Sequence, residues 1–309
     1  MEGGATAREE SLASVLVALA ANTTIATAKG VAAALTGSPA LLAETLHTLA
    51  DTGNEVLLFI ALRRSRRPAD QSHPLGYGPE RYYWALLAAI GMFVIGGAVS
   101  VWEGVRALIN PPELESFWVG VVVLVIALVL DSVSRVVAVR TLRRQAAERG
   151  VTVRELLRES PDPTVVTIYL EDSIDVLGAA LALVALVLHE VTGSALPDAL
   201  VTVIIGLLLG YVALKLTRRN RQLLSNQGIP ERYVDQLDEW LRSAPGVRAV
   251  TSLEAVYLGP REVLVAADVE MEPDLAGVAL AETLERIRED ARRELPVIAR
   301  LYLTPVPPA

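Results

Sequence analysis

For roughly two thirds of this chain the apolar positions neither alternate nor recur at helical spacing; they run in long blocks almost free of charge. A membrane-crossing helix needs about 20 mostly apolar residues. Six blocks satisfy that requirement, over Ser11–Leu35, Ala40–Leu62, Arg81–Ile109, Phe117–Val139, Pro163–His189 and Pro197–Leu216. Gly37-Ser38-Pro39, Asn110-Pro111-Pro112 and the stretch from Gly193 to Pro197 break them apart. From Arg221 the pattern becomes mixed and charged. Tyr233, Leu237, Trp240 and Leu241 at helical spacing predict a helix over Glu231–Ser243. Strands are predicted over Val250–Tyr257 and Glu262–Glu270, joined by Leu258-Gly259-Pro260, then a helix over Ala276–Glu294 and a strand over Ala299–Thr304. The expected fold is an α-helical membrane protein with six transmembrane helices and a C-terminal cytoplasmic αββαβ domain. Its expected divisions are an N-terminal cytoplasmic tail (1–10), the six-span domain (11–220) and an α/β dimerisation domain (221–309).

Charge orients the spans. Arg63, Arg64, Arg66 and Arg67 follow the second block, Arg140, Arg143, Arg144, Arg149, Arg154 and Arg158 the fourth, and Arg218, Arg219 and Arg221 the sixth. The alternate loops carry no Lys or Arg. The positive-inside rule therefore places both termini in the cytoplasm. The first block is too long, and its leader (Glu2, Glu9 and Glu10 against Arg8) too acidic, for a signal peptide, so it reads as a retained span. The absence of cysteine excludes disulfide, thiolate and iron–sulfur chemistry, and a formal charge of −8 argues against a nucleic-acid partner.

Ionisable residues inside the apolar blocks carry the functional signal, because each costs about 2.5–3.5 kcal/mol to insert. His47 and Asp51 are spaced i,i+4 and share one face of the second span; Glu171 and Asp175 do the same on the fifth. At about 1.5 Å rise per residue, all four lie in one slab near mid-membrane, roughly 12–22 Å above the arginine-rich end. Asp172 points about 100° away. It reads, with Asn54 one turn below Asp51, as a hydrogen-bonding neighbour of the ligands. One imidazole and three carboxylates suit a divalent first-row ion; a satisfied polar network knitting two helices is the plainer alternative. Carboxylates this close cannot all stay ionised without a cation, so the set holds either protons or metal. That competition is the basis of antiport.

These residues resemble the cation diffusion facilitator (zinc transporter) family. The stretch Thr36-Gly37-Ser38-Pro39-Ala40-Leu41-Leu42-Ala43-Glu44-Thr45-Leu46-His47-Thr48-Leu49-Ala50-Asp51-Thr52-Gly53-Asn54 looks like its second-span signature. His73-Pro74-Leu75-Gly76-Tyr77-Gly78 looks like its connection into the third span. Leu170-Glu171-Asp172-Ser173-Ile174-Asp175-Val176-Leu177-Gly178 is closest to the subgroup of the ninth vertebrate zinc transporter. The resemblance implies a homodimer that exports a divalent cation against inward proton flow by alternating access, with His47, Asp51, Glu171 and Asp175 as ligands. Zinc is the first expectation. Glu171 stands where common zinc exporters have a second His, which makes manganese, iron(II) or cobalt the alternatives. Family members can bind a further ion before the third span; here Asp70 and His73 remain, with Tyr77 at the other His position. The tail has neither His nor Cys, so a histidine-built cytoplasmic zinc cluster is not expected; Asp268, Glu270, Glu272 and Asp274 read as a solvated acidic edge.

Other polar residues read as structural: His189 at the end of the fifth span, and Asp131 with Arg135 as an i,i+4 ion pair. The reading of Lys29 stays open between a snorkelling side chain and a partner to an acid. Gly91, Gly96 and Gly97 offer close helix approach, within the chain or across a dimer. The chain lacks HExxH and reads as a transporter with no resident cofactor rather than an enzyme. A membrane metal sensor is the rival from another class. The short, arginine-rich chain points to a prokaryotic inner membrane, with lipid, protons and divalent cations as its partners.

Overall fold

The computed structural model describes residues 22–307 except 149 and 261. The expected 1–10 tail and the start of the first span at Ser11 lie outside the described residues. The chain divides into two compact units, one built from helices between residues 22 and 220 and the other from 64–82, 159–162 and the segment after Arg221.

In the first unit α1 runs over 22–36, and α2 over Pro39–Ser65. Gly37 turns the chain between them at φ +68°, a left-handed conformation; a Cβ there would sit 2.7 Å from the Glu113 carbonyl. Then follow α3 (Glu80–Ile109), α4 (Phe117–Glu148), a short α5 (Val153–Glu159), α6 (Pro163–Thr192) and α7 (Leu196–Leu224). Among the described residues four helices are long and apolar enough to cross a membrane: α3, α4, α6 from Val165, and α7. The α2 helix has the length, at 27 residues, but carries Glu44, His47, Asp51 and Glu55 within its apolar stretch. Helices α4 and α7 overrun their expected ends into arginine-rich sequence, because nothing in those segments breaks a helix.

The unit is inside-out relative to a water-soluble bundle. Val122, Val125, Ile126, Val129 and Val133 of α4 face outward, while the polar stripe of α2 is buried. Small residues let the helices approach: Ala40, Ala43, Ala182, Ala185 and Ala213 are fully buried beside Leu41, Leu124, Leu186 and Leu209. Gly96 and Gly97 make their close approach within the chain, since a Cβ on Gly97 would meet the Gly210 nitrogen at 3.2 Å and one on Gly96 a Leu209 methyl at 3.3 Å, whereas a Cβ on Gly91 would meet nothing within 4 Å. Across the same seam a Cβ on Gly206 would meet the Val101 nitrogen at 2.7 Å. Between its two α-helical halves α3 contains a π-helical segment, Met92–Ala98, which the apolar pattern did not reveal.

In the second unit α8 (Glu231–Ser243), β1 (Val247–Gly259), β2 (Glu262–Met271), α9 (Val278–Glu294) and β3 (Ile298–Val306) give the expected αββαβ order. The sheet order is β1-β2-β3, with β1 and β2 antiparallel (Ala255 opposite Val265) and β2 and β3 parallel (Val265 opposite Leu301). The parallel pair requires a crossover, and α9 supplies it. Val263, Val265, Ala267 and Val269 alternate into the core, the first two against Leu237 and Ile298 and the last two against Leu241, Leu284 and Ile287. Trp240 Nε1 donates to Glu294 at 3.0 Å, tying α8 to α9. The acidic edge is smaller than expected: Glu270 is only 9% exposed, which leaves Glu272 and Asp274 as its exposed members.

Candidate metal centre

Glu44, His47, Thr48, Asp51 and Asn54 recur every three or four residues along α2, so they form one stripe, and all five are buried. Glu171, Asp175 and Gly178 form the corresponding stripe on α6. Where the stripes meet, His47 Nε2 lies 3.3 Å from Asp51 Oδ2 and 3.4 Å from Asp175 Oδ1. One donor atom from each of the three lies within 4.8 Å of the others, the spacing of ligands around one small cation. Neither ring nitrogen of His47 has a hydrogen-bond partner, and neither has Asp51 Oδ1. A buried imidazole facing two carboxylates without a hydrogen bond is costly unless a cation or protons complete it.

Of the four ligands expected, the structure brings together His47, Asp51 and Asp175. Glu171 lies outside that cluster and accepts a hydrogen bond from Asn54 Nδ2. Asn54 therefore supports Glu171 rather than Asp51. Asp172 is turned to α4, where Ser134 Oγ donates to it at 3.0 Å.

Three arrangements were not foreseen. Lys29, left open in the sequence, is buried and donates to Glu44 Oε2 at 3.1 Å and Thr48 Oγ1 at 2.9 Å. Asp131 does not pair with Arg135, and its Oδ2 is buried without a hydrogen-bond partner. Asp198, in the first turn of α7, accepts from Ser38 Oγ and from the Ala40 N–H, both at 3.0 Å. His189 Nδ1 lies 3.5 Å from its other oxygen. The signal for Glu44 was available, since it stands three residues before His47 on the same stripe. Asp198 is the second residue of the sixth apolar block, where a lone carboxylate at a span end has no helical-spacing partner to single it out.

The loop pair belongs to the second unit. Asp70 Oδ1 accepts from Ser72 N–H, Ser72 Oγ and His73 N–H, and Oδ2 accepts from Tyr77 OH at 2.7 Å. These bonds, that from Ser72 first, hold its carboxyl below the usual carboxylate range. His73 stacks on Tyr77 with ring centroids 4.0 Å apart, and its Nδ1 stands 4.0 Å from Asp70. Within the same unit Gly78 packs on the β1–β2 turn, where a Cβ would meet the Leu258 carbonyl.

Residues 15–225 match the cation efflux transmembrane domain. The chain is 34% identical to the mouse protein named proton-coupled zinc antiporter SLC30A9, mitochondrial, over 84% of this chain and 46% of that one. It is 31% identical to metal tolerance protein C4 of Arabidopsis thaliana, over 75% of this chain and 51% of that one. It is 28% identical to the cation-efflux pump FieF of Klebsiella pneumoniae, over 84% and 81%. The chain thus spans about half the length of the mouse and Arabidopsis relatives. A solved MamM C-terminal domain variant is similar over 26% of this chain and 87% of that one, at 22% identity and a TM-score of 0.24.

Proposed function

The chain belongs to the cation efflux family, and on that premise we propose that it exports a divalent metal cation, zinc first, in exchange for protons. The observation that carries this reading is the His47 imidazole, buried, without a hydrogen bond at either nitrogen and facing Asp51 and Asp175 across two helices. His47 supplies the nitrogen ligand, and Asp51 and Asp175 supply charge and oxygen ligands. Glu171, held by Asn54, is the fourth ligand, closing on the ion from one turn nearer the arginine-rich end. Protons compete with the ion for the same oxygens, so a proton gradient drives the ion off. Relative motion of the spans exposes the centre to one side and then the other. The mouse relative, named as a proton-coupled zinc antiporter, supports zinc and proton coupling.

A donor set with one nitrogen and three carboxylates favours a second reading, export of manganese, iron(II) or cobalt by the same mechanism. The 221–309 segment joins two copies into a homodimer, and the protein is integral to a membrane, placed here in a prokaryotic inner membrane. The test is flux of Zn, Mn, Fe(II), Co and Cd in proteoliposomes under an imposed pH gradient. Zinc entry that alkalinises the lumen in step with the ion is expected. Flux of no ion under any gradient overturns export and leaves the sensor reading.

A further inference from the structure

One buried charge pair is left unused by this mechanism. Lys29 is 1% exposed and Glu44 is 0% exposed, and their ion pair lies inside the helical unit, with Thr48 as the second acceptor for the ammonium. The other Glu44 oxygen, Oε1, is buried with no hydrogen-bond partner and is lodged against Gly178 of α6, where any Cβ would collide with it. Glu44 stands three residues before His47 and Gly178 three residues after Asp175. The carboxylate therefore occupies the α2–α6 seam one turn beyond the centre, toward the arginine-poor end.

A pin between α1 and α2 does not need charge; in a buried setting an apolar pair of similar volume holds at least as well. Charge has a different consequence here. Two opposite charges of different distance and direction stand beside a centre that must hold, and then release, a doubly charged ion. We propose that Lys29 is the built-in cation of the site, a positioning residue that offsets Glu44 and so sets how tightly His47, Asp51 and Asp175 hold a divalent ion. A lysine suits the role because its ammonium is a compact point charge with donors for both Glu44 and Thr48. This rests on the export reading above.

The experiment measures zinc affinity of the full-length protein by calorimetry at one fixed pH, with zinc uptake into proteoliposomes alongside. Lys29→Met leaves Glu44 uncompensated and is expected to tighten zinc binding about ten-fold while slowing turnover. Glu44→Gln leaves the ammonium uncompensated and is expected to weaken binding about ten-fold. The double variant is expected to return to within about three-fold of the wild type. A purely structural pair would instead weaken binding in both single variants, or in neither, and either result overturns the proposal. If Lys29→Met does not fold, Glu44→Gln and the double variant still decide: affinity lost in the first and not regained in the second refutes it. Wild-type protein that neither binds nor moves zinc, manganese, iron(II) or cobalt would sink the export reading itself. Wild-type activity with like-signed single variants would sink only the role of Lys29.

Discussion

Two short motifs in this chain pair a histidine with an aspartate, and they reach opposite ends. In the loop, Asp70 and His73 sit three residues apart at the surface, and every oxygen of the aspartate is engaged by a donor from its own turn. In α2, His47 and Asp51 sit four residues apart and are buried, with neither imidazole nitrogen hydrogen-bonded. The difference lies in the backbone. A turn has spare N–H groups, and a short acidic side chain folds back to accept from them. A helix in hydrocarbon has committed its N–H groups to its own carbonyls. The side chains of α2 must therefore find partners on another helix or bind an ion. Identical residue types thus make a closed turn in one place and an open centre in the other.

Removing a carboxylate from the open centre is the largest test of that contrast. Asp51→Ala or Asp175→Ala should lower metal-driven proton movement in proteoliposomes by at least about 100-fold, and intact flux in both variants would remove the centre from consideration. Glu171→His should change selectivity rather than abolish flux. A second imidazole should shift the ratio of zinc to manganese uptake by about ten-fold toward zinc, and an unchanged ratio would show that this position does not choose the ion. The closed turn should respond least. Asp70→Asn is expected to leave zinc uptake within about two-fold of wild type, while amide exchange at Ser72 and His73 accelerates. A large loss of uptake would make the loop a metal site after all. Acid gives a further handle. The Asp70 carboxyl lies below its unfolded value of about 3.9, so its contribution is fully present above that pH and is lost as pH falls through the lower folded value. Protection of the Ser72 and His73 amides, corrected for intrinsic exchange, should accordingly persist from pH 7 to about 4; loss near pH 5 would contradict the bonding described.

Much of this was legible because period and composition act locally. The αββαβ order followed from the helical spacing of Tyr233, Leu237, Trp240 and Leu241 and from the strand-like stretches Val250–Tyr257 and Glu262–Glu270 about Leu258-Gly259-Pro260. The shared faces of His47 with Asp51 and of Glu171 with Asp175 followed from helical spacing alone. What was missed depends on contacts between distant segments. The partner of Lys29 lies 15 residues away in another helix, and that of Asn54 lies 117 residues away. Asp131 and Arg135 have ideal spacing for each other and do not pair, because i,i+4 placement permits a contact without requiring one. The π-helical turn at Met92–Ala98 arises in a segment whose uniform apolarity hides any change of period.

Asp198 has a mechanical consequence. A single carboxylate holds the first turn of α2 through Ser38 and Ala40, belongs to α7, and is reached by His189 near the end of α6. The three helices share a fulcrum at one end, and Asp51 stands eleven residues along the lever, about 16 Å away. Scissoring α2 against α6 by about 10° about that point parts them by about 3 Å at the level of Asp51. Zinc–oxygen bonds are only about 2.0–2.2 Å long, so under the proposed export of zinc a tilt of that size would turn a grip into a release.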